Sequence, residues 1–153
     1  MEVLEIYIQK QLGDTLNQVK CLISLALTLH NDRQLDAAEE VASRAIKLLP
    51  EKGQQLKLCH SHHILGDIYC SKSDTERAIH HSEVALGIAT SLSLSQEQFW
   101  VHISLATLFF GKRGFDAAHA HAERAKSHVL NDPYNLAHAL WLQAFSVLQR
   151  VRS

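Results

Sequence analysis

Apolar positions along the chain recur with a helical period. Leu22, Leu25, Ala26 and Leu29 fall on one face at 3.6-residue spacing. The same slots return forty residues later as His62, Leu65, Gly66 and Tyr69, and again as His102, Leu105, Ala106 and Phe109. A second series keeps the same step: Ala38 and Ala45, then Ala78 and Ala85, then Ala118 and Ala125. Between the two series lies a short polar break, which is His30-Asn31-Asp32-Arg33, then Ser71-Lys72-Ser73-Asp74, then Gly111-Lys112-Arg113-Gly114. Asp36, Glu76 and Asp116 follow, in the first turn of a helix, where the positive end of its dipole favours acid.

Each period therefore reads as two antiparallel helices. The pattern predicts helices near 2–11, 14–30, 34–48, 53–71, 74–91, 95–111, 115–129 and 134–151. They group into repeats at 19–58, 59–98 and 99–138, with a half repeat (a second helix) at 1–13 and another (a first helix) at 139–153. Small residues mark where paired backbones approach: Ala26, Gly66 and Ala106 on the first helices, Ala38, Ala78 and Ala118 on the second. Gly66 costs about 1 kcal/mol of helix propensity relative to alanine, so its place in mid-helix signals a steric need.

Leu65-Gly66-Asp67-Ile68-Tyr69, followed by Ala78 and Ala85 and preceded by Pro50 at a helix end, resembles the tetratricopeptide repeat. The resemblance covers nearly the whole chain and implies an all-α, right-handed α-α superhelix. Two departures stand out. The period exceeds that family's usual one by six residues, and the slot often held by tryptophan is filled by Leu22, His62, His102 and Leu142. The long period is similar to repeats in the sensor regions of signal-transducing NTPases, including fungal proteins with NB-ARC or NACHT modules. Residues 4–14 look like the second helix and exit turn of a preceding repeat in such an array. The chain carries no phosphate-binding loop of its own. The motif residues all serve packing, so the resemblance implies partner binding in general terms and names no partner.

Composition narrows the class. Glycine and proline total 8 of 153 residues, too few for a fold of many short strands and turns. Net charge is −1, from 15 basic and 16 acidic residues, which gives no electrostatic case for nucleic acid or an anionic membrane. Cys21, Cys59 and Cys70 are an odd set without paired spacing, and the acidic start lacks the features of a signal peptide. A cytoplasmic protein with reduced thiols is expected.

Stacked helix pairs turn their first helices to the concave side. The face of those helices opposite the packing face then lines a groove. In the first unit it comprises Lys20, Ile23, Leu27 and His30, and in the second His60, His63, Asp67 and Cys70. Trp100, Ile103, Thr107 and Phe110 continue it, and the last helix adds Leu140, Gln143, Val147 and Arg150. Such a mixed trough suits a helix or extended peptide with apolar anchors. The competing reading is that neighbouring first helices bury part of this face, Trp100 included, against each other. The lysine, arginine and asparagine donors with which some tetratricopeptide domains clamp an acidic C-terminus are missing, because Ile23, Leu27, Trp100 and Ser104 stand in their places.

Eleven histidines invite chemistry. His60, His63, Asp67 and Cys70 share one helical face, but His60 and Asp67 lie about 10.5 Å apart along the axis. Zinc ligands sit within roughly 4.5 Å of each other, so one helix supplies two at most. His62 and His102 read as flat rings between helices, His81 and His121 as solvated rings on the outer face. Cys59 beside His60, and Cys70 two turns from His63, lack the geometry of an activated nucleophile. The expectation is an interaction scaffold without cofactor, metal or catalytic residues, with a metal- or pH-responsive histidine module as the alternative. Leu136, Leu140, Trp141, Phe145 and Leu148 at one end, and Val3, Leu4, Ile6 and Tyr7 at the other, are apolar without a cover, which predicts self-association through the terminal helices.

Overall fold

The computed structural model describes residues 2–152, Glu2 by its backbone alone. These residues form seven helices and no strand. The helices are α1 (Glu2–Asn31), α2 (Leu35–Leu48), α3 (Gln55–Ser71), α4 (Thr75–Ser91), α5 (Ser95–Gly111), α6 (Phe115–Ser127) and α7 (Pro133–Arg152). Each packs on the next in chain order. The first helices α1, α3, α5 and α7 also touch in succession, whereas α2, α4 and α6 do not touch one another. A row that closes up on one side and spreads on the other curves toward the closed side. The first helices therefore form the inner layer of an all-α solenoid.

The three hairpin turns within units are built alike. Arg33, Ser73 and Arg113, forty residues apart, all take left-handed backbone with φ of 64°, 63° and 62°. The amides that follow, of Gln34, Asp74 and Gly114, donate to the carbonyls of Leu29, Tyr69 and Phe109 at 2.8–2.9 Å, which satisfies the orphaned helix ends. At the junctions between units, Gly53 and Ser93 are likewise forty apart and left-handed.

The core runs through the stack as linked clusters at the small-residue crossings. Ala38, Ala78 and Ala118 are each 0% exposed. Gly66 meets its steric expectation: a Cβ there would lie 2.6 Å from Ser82 Oγ and 3.3 Å from the Ala78 carbonyl oxygen. The other units hold alanine at both equivalent positions, Ala26 with Ala42 and Ala106 with Ala122. The middle unit trades glycine against a larger serine.

Two expectations require correction. The turn near Gly13 and Asp14 is not there: residues 2–13, expected as a separate second helix, are the first half of the continuous helix α1. A single exposed glycine costs only about 1 kcal/mol in a helix, and Leu4, Ile8, Leu12, Thr15 and Val19 carry one stripe straight through it. Leu25, expected on the packing face, is 45% exposed, whereas Leu65 and Leu105 are 3% and 0% exposed. Leu105 packs against Ala85 and Ala89 of the preceding α4, and α1 has no preceding helix among the described residues to cover Leu25.

Candidate functional site

On the inner layer, Ile23 and Leu27 of α1 face His60, His63, Ile64 and Asp67 of α3 across a cavity of about 310 Å³. Sequence spacing alone brings these six together, because i, i+3 and i+7 place them on one side of each helix. Leu27 is 44% exposed, so the hairpin folds without using much of it.

Hydrogen bonds tie the successive first helices to one another. His30 Nε2 meets Ser71 Oγ at 2.8 Å, and His63 Nε2 meets Ser104 Oγ at 3.1 Å, both across an offset of 41 residues. Across an offset of 37, Ser104 Oγ donates to Asp67 Oδ1 at 3.3 Å and the His60 ring meets Glu97 Oε1 at 3.4 Å. Ser71 and Glu97 join these contacts without having been marked by sequence. Their signal was there in the register, since +37 and +41 flank +40 and fall on the neighbouring helix one turn apart. Burial lowers the His63 pKa, against the raising effect of Asp67, so the ring is neutral at pH 7.

Ser104, His63 and Asp67 are the residue types of a hydrolytic triad in a different order. The hydroxyl and Asp67 Oδ2, the latter at 3.8 Å, both approach Nε2, whereas a relay needs the carboxylate on Nδ1. The geometry is a tether between helices. The thiols are also the reverse of activated: burial and Glu97 push Cys59 up to about 11, and burial and Asp67 raise Cys70. Among the described residues no three His, Cys, Asp or Glu side chains converge as metal ligands would.

The remaining predicted groove residues divide. Lys20 and Thr107 are exposed on the inner layer, and so is Cys70 as a residue, although its thiol is partly desolvated. Trp100 is 40% exposed with its ring edge-to-face on Phe99, centroids 4.8 Å apart. Ile103 is not a groove wall. It is 7% exposed and packed with Ala122, Ala139 and Leu142, because its position faces the next unit. Phe110 stacks on Phe145 of α7 at 5.1 Å, and Gln143 donates to Glu123 of α6, so both join helices more than they line a trough. A wider depression of about 650 Å³ lies elsewhere, between α2 and the end of α3, and is lined by charged groups including Lys72, Asp36 and Glu39.

The outer histidines overturn their expectation. His81 and His121 are not solvated. His62 Nδ1 lies 2.9 Å from His81 Nδ1, and His102 Nδ1 lies 3.1 Å from His121 Nδ1. His81 then stacks on Tyr69 and His121 on Phe109, at 5.4 and 5.5 Å between ring centres. The two units thus repeat one histidine–histidine–aromatic stack. Burial, then the facing rings, pushes His62 and His102 down to about 4, and burial also lowers His81 and His121.

Comparison of the chain with protein-family models, with curated proteins and with solved structures gives no match. Among the described residues no helix is long and apolar enough to cross a membrane.

Proposed function

We propose that the protein is an interaction scaffold that docks a helical or extended segment of a partner protein on its inner face, a binding role without catalysis. The observation that supports this reading is the α1–α3 pocket, where Leu27 is left 44% exposed beside the polar side chains of His60, His63 and Asp67. Folding has no need of that exposed apolar surface, and surface of this kind marks binding. Trp100 extends the same layer. In line with the tetratricopeptide resemblance, we place the protein in the cytoplasm as a sensor segment of a larger signalling NTPase. Selection of displayed random peptides against the protein tests the reading. The binders should lose affinity for Leu27→Asp and Trp100→Ala and keep it for Glu83→Ala on an outer helix. Binders indifferent to the two inner variants would refute it.

A second reading, a proton-responsive module, is supported by the paired rings His62–His81 and His102–His121.

A further inference from the structure

We infer that two copies of this chain pair through α7, whose exposed seams meet antiparallel about a two-fold axis to give a closed dimer. The pairing is independent of what docks on the inner face, and it fixes which terminal helix associates and how.

One side of α7 packs on the stack. Ala139, Leu142 and Ser146 are buried there, the first two in one cluster with Ile103 of α5 and with Ala122 and Ala125 of α6. The opposite side carries two rows at heptad spacing. Tyr134, Trp141 and Leu148 form a bulky row, and Ala137, Ala144 and Val151 form a row of smaller side chains beside it. All six are exposed, and no helix among the described residues covers them. A fifth of the chain is charged, yet no Asp, Glu, Lys or Arg interrupts α7 from Pro133 to Gln149. A solvated helix face carries charged and polar residues, whereas a two-row apolar stripe with a seven-residue repeat is a packing seam. Trp141 is held in place on it, because its ring stacks on Phe145 with centroids 5.2 Å apart and planes 11° off parallel.

The seam is complementary to itself. Turned antiparallel, two α7 helices set Tyr134 opposite Val151 of the second copy, Trp141 opposite its Ala144, and Leu148 opposite its Ala137. One register satisfies all three pairs, and the two-fold axis repeats them, so every layer matches a bulky side chain with a smaller one. Parallel pairing would set Trp141 against Trp141 and leave alanine facing alanine. The area also suffices. Tyr134 is 82% exposed and Trp141 58% exposed, which presents about 300 Å² of aromatic surface. With the other four residues the seam offers roughly 500 Å² per copy, or about 1,000 Å² for the pair, where specific interfaces begin. A head-to-tail chain lacks such a match. On α1, the face that Leu25 shares with Gln18, Cys21 and Thr28 is exposed but mostly polar, and Glu5, Lys10 and Asp14 punctuate the first half of that helix.

Sedimentation equilibrium of the whole chain at rising concentration should show the mass approach that of two copies and stop there. Trp141→Lys and Ala144→Glu should each raise the dissociation constant at least about ten-fold, and Ile8→Lys on the other terminal helix should leave it unchanged. Circular dichroism checks that each variant keeps its helices. Orientation is read by cross-linking with a short bis-maleimide in a Cys21→Ser, Cys70→Ser background. In the antiparallel register Ala144→Cys lies about 4.5 Å along the axis from its twin and should link, whereas Ala137→Cys lies about 16 Å from its twin and should not. Equal linking at both positions overturns the antiparallel pairing. A monomer at every concentration, a dimer that survives both Trp141→Lys and Ala144→Glu, or a mass that climbs past two copies overturns the inference as a whole.

Discussion

Acidification should unlock this fold at the paired histidines. His62 faces His81 and His80 of α4, with Arg77 of α4 and Glu39 of α2 beyond, and His102 faces His121, Arg124 and His128. Between the Nδ1 atoms of a pair one N–H donates and one nitrogen accepts, so doubly protonated rings would set donor against donor. The folded pKa of about 4 lies below the ordinary unfolded value. The unfolded chain therefore binds more protons, and stability falls as pH drops from about 6.5 to about 4. For the well-buried His102 the loss between pH 7 and 5 is about 2 kcal/mol; His62 is only partly buried, and screening halves its share, which leaves roughly 3 kcal/mol for the two. His81 and His121, lowered in the same direction, add to the effect. With an m-value of about 2 kcal/mol per molar urea, the unfolding midpoint should fall by roughly 1.5 M. The control comes from the chain itself, since the first unit holds Leu22 and Val41 at the same register. The fourfold variant His62→Leu, His81→Val, His102→Leu, His121→Val should lose most of this dependence. A wild-type midpoint that stays constant from pH 7 to 5, or a fourfold variant with the wild-type slope, would refute the reasoning.

Gly66→Ala should destabilise by about 1–3 kcal/mol in thermal or urea melts, because its Cβ collides with Ser82 Oγ. Adding Ser82→Ala recreates the alanine pair of the other units and should restore most of the loss; no coupling between the two would contradict the close approach. Ser73→Gly relieves a left-handed non-glycine residue and should stabilise by about 1 kcal/mol, a gain that the urea midpoint measures and that a loss would deny. Ile8, 54% exposed, and Trp141, 58% exposed, lie on uncovered terminal helices, so light scattering should show mass rising with concentration. Ile8→Lys with Trp141→Lys should suppress it, and a monomer at every concentration would refute the self-association.

The fold was legible because its crossings repeat: alanine at 38, 78 and 118 and the small residues at 26, 66 and 106 allow one register only. The helix count failed at Gly13, where a motif-like glycine and aspartate looked like a turn although the apolar stripe ran on beneath them. That Ile23 and Leu27 share a pocket with His60, His63 and Asp67 was legible from the face opposite the packing. Ile103 was misplaced because a helix in a stack has two packing faces, one toward its own unit and one toward the next. The histidine pairs escaped because ring contact depends on how α4 and α6 are rotated. Even so, His62 with His81 and His102 with His121 shared a spacing of 19 residues that could have flagged them.

The most direct test of an inner face reserved for a partner is a methyl and indole NMR titration of the protein with a peptide selected on it. The largest shifts should fall on Ile23, Leu27, Ile64 and the Trp100 indole. Shifts confined to α2, α4 and α6, or to the exposed end of α7, would contradict it.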